Sequence, residues 1–297
     1  MRKLSALLPA LLILLSACTA PAAAPAPEPT PSPAATAAPA PEPTPEPTPA
    51  PAPPAAMAED GEHPRLIAHG GGAIYGYRLT NSLEALDSAY EAGFRFIELD
   101  FERTSDGEIV MIHDWESMAA RLLGSEGQRS LRLFRSASAL AGLTLLDLEG
   151  LLRWMEDHPD CAIVTDIKSD GNLPMLSEIR ERAGEAAGRF IPQAYDFDQA
   201  SSLLAEGWER VILTVYRIQV TPEELRDYLA KTPLWALTMP EARLSEEFAA
   251  AARDTGTALY CHSVNTLDFV DAWLDKGLTG IYTDYFQPSH WDESFSK

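Results

Sequence analysis

The chain has 297 residues, with 44 Asp and Glu against 23 Lys and Arg, a formal net charge of −21. So acidic a surface repels polyanions, which excludes nucleic acid and argues against an anionic lipid surface as direct partner. Carboxylates in such excess are compatible with a cation site.

The N-terminus reads as a targeting segment. Arg2 and Lys3 precede an uncharged, Leu-rich run from Leu4 to Ala17. That run is shorter than the roughly 20 residues a spanning helix needs, so residues 1–17 are expected to be a signal peptide. They end in Leu15-Ser16-Ala17-Cys18, which resembles the bacterial lipobox and implies lipidation of Cys18. An extracytoplasmic, membrane-anchored lipoprotein is the expected product. Residues 18–60 are dominated by Pro, Ala, Thr and Glu. Pro removes the backbone N–H and fixes φ, so this stretch is expected to be a disordered, extended spacer.

Residues 61–297 suit one domain near the ~250 residues of a TIM barrel. Eight strands are expected, at 65–68, 94–101, 161–167, 190–193, 210–216, 234–238, 258–262 and 280–283, with amphipathic segments between most of them. Asn81–Ala92 carries apolar residues at 83, 86, 89 and 90, a helical stripe, with Thr80 or Asn81 as its cap. Thr221-Pro222-Glu223-Glu224 is a helix start with Pro at the first helical position. This βα alternation defines an α/β TIM (β/α)8 barrel. Between the second and third barrel strands, the turn Ser105-Asp106-Gly107-Glu108 precedes a further strand-like run, Ile109–His113, and signals an added hairpin. A hairpin centred near 106 brings Glu98 and His113 together. Residues 115–142 show no clear period and are expected to be a long loop on the catalytic face. Cys161 and Cys261 lie in apolar runs and are expected to be buried free thiols, with a disulfide between them the minor alternative.

TIM barrels build their sites at the C-terminal ends of the strands. His69, the pair Glu98 and Asp100, His113-Asp114, and the pair Asp166 and Lys168 all stand there. Glu98, Asp100 and Asp166 converge from neighbouring strands and repel one another unless a cation lies among them. Hard oxygen donors of this kind suit one divalent cation, Ca²⁺ or Mg²⁺. Two imidazoles beside them can exchange roles as acid and base at neutral pH. Gln193, Tyr195, Tyr216 and Trp235 are candidates for the pocket wall, the Tyr and Trp side chains equally for packing, and His262 is either a third imidazole at the mouth or a core His.

Several blocks then carry a resemblance. They are His69-Gly70-Gly71, Asn81-Ser82-Leu83-Glu84-Ala85, Ile97-Glu98-Leu99-Asp100, Thr104-Ser105-Asp106-Gly107, His113-Asp114, Asp166-Ile167-Lys168, Ser263-Val264-Asn265 and Gly280-Ile281-Tyr282-Thr283-Asp284. In that order they resemble the glycerophosphodiester phosphodiesterase family. The resemblance implies His69 and His113 as the acid/base pair, and Glu98, Asp100 and Asp166 as metal ligands. It implies Lys168 on the phosphate; Asn81, Gln193, Tyr216 and His262 are further candidates for contact with phosphate or substrate. The implied substrate is a small or lipid-derived phosphodiester, attacked at phosphorus by one of its own hydroxyls. Three positions depart from the family pattern: Gly70 stands where the family has Arg, Thr80 where it has Glu, and Asp166 where it has Glu. Asp166 followed by Lys168 also resembles the sphingomyelinase D-like phospholipases, which act on lysophospholipids. Gly70 and Thr80 suggest a further alternative, a surface binding protein with weakened turnover.

Overall fold

The computed structural model describes residues 63–137, 139–169 and 171–289. The signal peptide, Cys18 and the Pro-rich spacer therefore lie outside the described residues. Among the described residues the strands are β1 (Leu66–Ala68), β2 (Phe96–Arg103), β3 (Ile109–Met111), β4 (Ala162–Asp166), β5 (Phe190–Ala194), β6 (Ile212–Thr214), β7 (Ala236–Pro240), β8 (Ala258–His262) and β9 (Gly280–Thr283). Eight of them close a parallel ring, in the order β1, β2, β4, β5, β6, β7, β8, β9 and back to β1. The ring is a TIM barrel. β3 pairs antiparallel with β2 outside it, in the register Phe101↔Met111, Glu102↔Val110 and Arg103↔Ile109.

The helices are α1 (Leu83–Glu91), α2 (Ser117–Leu123), α3 (Leu131–Arg135), α4 (Leu148–Asp157), α5 (Asn172–Ala183), α6 (Phe197–Ala205), α7 (Pro222–Leu229), α8 (Glu246–Thr255) and α9 (Leu267–Leu274). α1 is capped by Ser82, whose side chain accepts from the Ala85 N–H, and not by Thr80 or Asn81. Those two residues have other work: Thr80 is buried and bonds Ser82, and Asn81 bonds a carboxylate of the site. α7 begins with a complete capping box of Thr221 and Glu224, with Pro222 at its first turn.

The strands are buried on both faces, and their side chains separate with the period of two that a pleated strand imposes. Ile67, Val164, Ile191, Ile212, Ala236, Tyr260 and Tyr282 fill the barrel interior. Their neighbours Leu66, Ala68, Ile97, Leu99, Ile163, Leu213, Leu237, Leu259 and Ile281 pack outward into the helix layer. Trp235 precedes β7 and is buried with Phe96, Tyr260 and Ala236. It closes the floor of the barrel and does not line the mouth, which corrects its expected place in the wall.

Residues 115–142 are not a featureless loop. They form α2 and α3, and Trp115, Met118, Ala119, Leu122 and Phe134 bury a small core of their own against Val110 and Ile112 of the added hairpin. Each helix is under two turns, too short to show a period in sequence. Cys161 and Cys261 are both free and buried, and burial pushes each thiol up to about 12.

Candidate active site

The site follows from the inward rows of the barrel. Two residues beyond Ile67 stands His69, beyond Phe96 stand Glu98 and Asp100, beyond Val164 stand Asp166 and Lys168, and beyond Ile191 stand Gln193 and Tyr195. Beyond Ile212 lies Tyr216, beyond Tyr260 His262, and beyond Tyr282 Asp284. A period-two row that is apolar in the interior turns polar as each strand reaches the C-terminal mouth. Register then fixes the neighbours. Asp100 pairs with Asp166, and Ala68 pairs with Thr283, which sets His69 beside Asp284.

Glu98, Asp100 and Asp166 bring one carboxylate oxygen each to within 4.8 Å of one another. Glu98 is 1% exposed and Asp100 2%. Burial, together with the neighbouring charges of Asp100 and Asp166, pushes Glu98 up to about 8, although His69 and Lys168 pull the other way. Lys168 rises between the other two carboxylates. Its Nζ pairs with Asp100, and lies 2.8 Å from Oδ2 of Asp166. That pairing, with the charge of His113 and a hydrogen bond from Asn81, holds Asp100 below the usual carboxylate range in spite of its burial. The Tyr195 hydroxyl donates to the remaining oxygen of Asp166.

Asn81 clamps Asp100 from both sides. Its Nδ2 donates to Oδ2 of Asp100 at 2.9 Å, and its Oδ1 accepts from the Asp100 N–H at 2.9 Å. It does so from a left-handed backbone, φ 50°, which Asn tolerates better than most residues. Gly70 donates its N–H to Glu98 at 2.7 Å, also from a left-handed backbone, φ 55°. A Cβ on Gly70 would lie 2.7 Å from the Cα of Leu79. A side chain there would displace the Leu79 backbone, which accounts for the glycine at this position.

Each imidazole is oriented by a carboxylate. Nδ1 of His69 lies 2.9 Å from Oδ1 of Asp284, and Ser263 Oγ lies 3.0 Å from the same nitrogen. Asp284 is held in turn by Nδ2 of Asn265 at 2.8 Å and by Arg78 at 3.3 Å. Burial opposes a proton on His69, but its bond to Asp284 and the charges of Glu98, Asp284 and Asp100 outweigh that and raise it to about 9. Nδ1 of His113 lies 2.7 Å from Oδ2 of Asp114. Asp114 is held by the N–H groups of Glu116 and Met118 and by the hydroxyl of Ser117. Burial works against its ionisation, but these bonds and His113 hold it down at about 2. The hairpin delivers His113 to Asp100: the N–H of Ile112 donates to the Asp100 carbonyl at 3.1 Å. His69 stands on the Glu98 side, so the imidazoles bracket the carboxylate cluster.

His262 differs from the other two. Its Nδ1 lies 2.9 Å from Thr238 Oγ1, and no carboxylate bonds it among the described residues. Burial, with repulsion from His69, lowers it to about 4. It is a neutral ring against Tyr216 and Tyr282. Gln193 is buried below the mouth, where its Oε1 accepts from the Tyr282 hydroxyl at 3.4 Å. Tyr216 is 38% exposed on the rim. A surface cavity of about 670 Å³ lies outside the barrel, lined by Leu83, Arg135, Leu145, Trp154 and others; none of the site residues borders it. Asp284, Asp114 and Asn265 stand in motifs already quoted from the sequence, but their part in holding the imidazoles was not read there. Their signal was there, in the His113-Asp114 pair and the closing Thr283-Asp284, each a carboxylate next to or level with an inward-facing His.

The fold and these residues define a TIM barrel with a buried carboxylate cluster bracketed by two carboxylate-held imidazoles. Residues 70–191 match the profile of the Glycerophosphoryl diester phosphodiesterase family. The matched span holds Glu98, Asp100, His113, Asp166 and Lys168; His69 and Asp284 flank it. A Mycobacterium tuberculosis protein named "Probable glycerophosphodiester phosphodiesterase 2" is 33% identical over 103 residues, 34% of this chain and 38% of that protein's length. Among solved structures, an Oleispira antarctica phosphodiesterase in complex with the product sn-glycerol-3-phosphate is similar at TM-score 0.64 and 16% identity, covering 79% of this chain and 98% of that one. A glycerophosphodiester phosphodiesterase from Thermotoga maritima is similar at TM-score 0.59 and 22% identity, covering 74% and 94%. At these identities the structures speak for the fold.

Proposed function

We propose that this chain is a divalent-cation-dependent phosphodiesterase that cleaves a glycerophosphodiester-like substrate at the mouth of its barrel. One observation carries the reading: two imidazoles, each oriented by its own carboxylate, stand on either side of a buried three-carboxylate cluster. A structural His needs no such symmetry, whereas phosphodiester cleavage needs one group to take a proton and another to give one.

The cluster fits a divalent cation. All its donors are oxygens, the arrangement Ca²⁺ and Mg²⁺ prefer, and Glu98 is driven toward its neutral form by crowding that a cation would relieve. Held by Glu98, Asp100 and Asp166, the ion would supply positive charge beside the phosphoryl oxygens. Asn81 keeps Asp100 oriented toward it, and Lys168, freed from the carboxylates, is available for a phosphate oxygen. In the chemistry proposed, one imidazole takes the proton of a glycerol hydroxyl as its oxygen bonds to phosphorus. The bond from phosphorus to the leaving alcohol breaks, and the other imidazole protonates that alcohol. Water then opens the cyclic phosphate with the two roles exchanged, leaving a phosphomonoester such as the glycerol phosphate product bound by the Oleispira neighbour. Asp284 and Asp114 hold the two rings by their Nδ1 atoms, and proton transfer falls to the Nε2 atoms, that of His69 having Ser263 Oγ 3.2 Å away.

The N-terminal sequence supports an extracytoplasmic setting, with Cys18 lipidated and the Pro-rich spacer holding the barrel off the membrane. The deciding assay incubates the protein with a panel of glycerophosphodiesters and a lysophospholipid, with and without EDTA, and follows release of phosphomonoester and alcohol. Cation-dependent cleavage of a glycerophosphodiester is expected. Cleavage of the lysophospholipid alone would favour the sphingomyelinase D-like reading, and binding without cleavage the surface binding protein.

A further inference from the structure

The rim of the mouth carries a cation that the fold fixes in place. The guanidinium of Arg217 stands 4.6 Å from the ring centroid of Tyr195 and 5.4 Å from that of Tyr216. The two rings meet edge to face at 5.9 Å, and one Arg217 N–H donates to the Lys168 carbonyl at 2.5 Å. The segment bearing Arg217 is itself clamped. Arg243 donates to the carbonyls of Val215, Ile218 and Val220, on both sides of Arg217, and lies over Phe248 at 5.5 Å. Arg217 is nevertheless exposed, so its guanidinium can be reached from the mouth.

A chain of net charge −21 repels anions at long range, which makes a rigid cation above its carboxylate cluster notable. Lys168 already stands deeper, between Asp100 and Asp166. Arg217 lies farther out, separated from that cluster by the Tyr195 ring and the Lys168 backbone. Edge-to-face tyrosines could by themselves receive a quaternary ammonium. Here their faces are occupied by a guanidinium, whose fork of donors matches phosphate or carboxylate.

We infer that Arg217 reads the alcohol side of the diester, selecting substrates whose leaving group carries its own negative charge, such as a second phosphate, over those ending in a quaternary ammonium. This rests on the glycerophosphodiester reading and adds the substrate class to it.

The test compares three diesters that share the scissile group: glycerophosphoglycerol phosphate, glycerophosphoglycerol and glycerophosphocholine. Binding is measured by calorimetry with divalent cation present, in the full chain carrying His113→Ala so that little is consumed. The anionic diester is expected to bind roughly tenfold more tightly than the choline diester, as one added charge-assisted contact implies. Arg217→Gln should abolish that order, and Arg217→Lys should restore part of it. Equal binding of all three, or an equal loss for all three in Arg217→Gln, overturns the inference while leaving the glycerophosphodiester reading standing. Failure of all three to bind overturns both.

Discussion

Nδ1 of His69 lies 2.9 Å from Oδ1 of Asp284, across 215 positions of sequence. The pair closes the barrel, since β1 and β9 are its first and last strands and are paired in register. Asp284 holds the ring and favours its protonated form. Asp284→Asn should therefore lower kcat by about tenfold or more, a part of the 10²–10⁴ that acid–base groups contribute. It should also move the His69 limb of the pH–rate profile to lower pH. An unshifted profile would show that Asp284 only fills space.

His69→Ala and His113→Ala should each reduce kcat by about 10²–10⁴-fold with a far smaller change in KM. His262→Ala should cost much less, because that ring bonds Thr238 and is held neutral. A diester with an activated leaving group, such as nitrophenol, should be less sensitive to loss of the general acid than one with a plain alcohol. Near wild-type kcat in both single variants would remove the two-histidine mechanism.

Cation binding should depend on pH with a definite sign. Glu98 is raised from 4.5 to about 8, and His69 from 6.5 to about 9. Both groups hold protons in the folded chain that the unfolded chain releases. The metal-free protein should then lose stability as pH climbs, from Glu98 between about 4.5 and 8 and from His69 between 6.5 and about 9. Because the cation displaces the Glu98 proton, its affinity should rise by about tenfold per pH unit below that value and level off above it. Titration of Ca²⁺ and Mg²⁺ into metal-free protein at pH 6, 7 and 8 checks this. A flat response would show that no proton leaves with binding.

Restoring the family's Arg should not restore a phosphate contact. Gly70→Arg places a side chain on a left-handed backbone, at a cost of roughly 1–2 kcal/mol, and drives its Cβ into Leu79. Lower denaturant stability and lower activity are expected. An active, equally stable variant would mean that the 70–79 loop readily adopts another path.

The lipid anchor is tested at Cys18. Cys18→Ser should release the chain from membranes or block its processing, as read by fractionation. Unchanged membrane partition would count against lipidation at that residue.

The sequence by itself determined the barrel and the strand ends at which the candidate site residues stand. Period-two rows ending in His69, Glu98, Asp100, Asp166 and His262 put those side chains at one end of a parallel barrel, because alternation and strand direction are local properties of the chain. The Asp-Gly turn likewise placed the hairpin, whose register is set by its own few residues. What the tertiary structure alone decided were contacts made across the ring. Asp284 reaches His69 only because the barrel closes, and Asn81 reaches Asp100 only because Ser82 takes over the capping of α1. Arg217 is held at the rim by Arg243, 26 positions away and on another connection. Such pairings depend on which strands become neighbours and on where the connections lie against them, and no local pattern of residues encodes that.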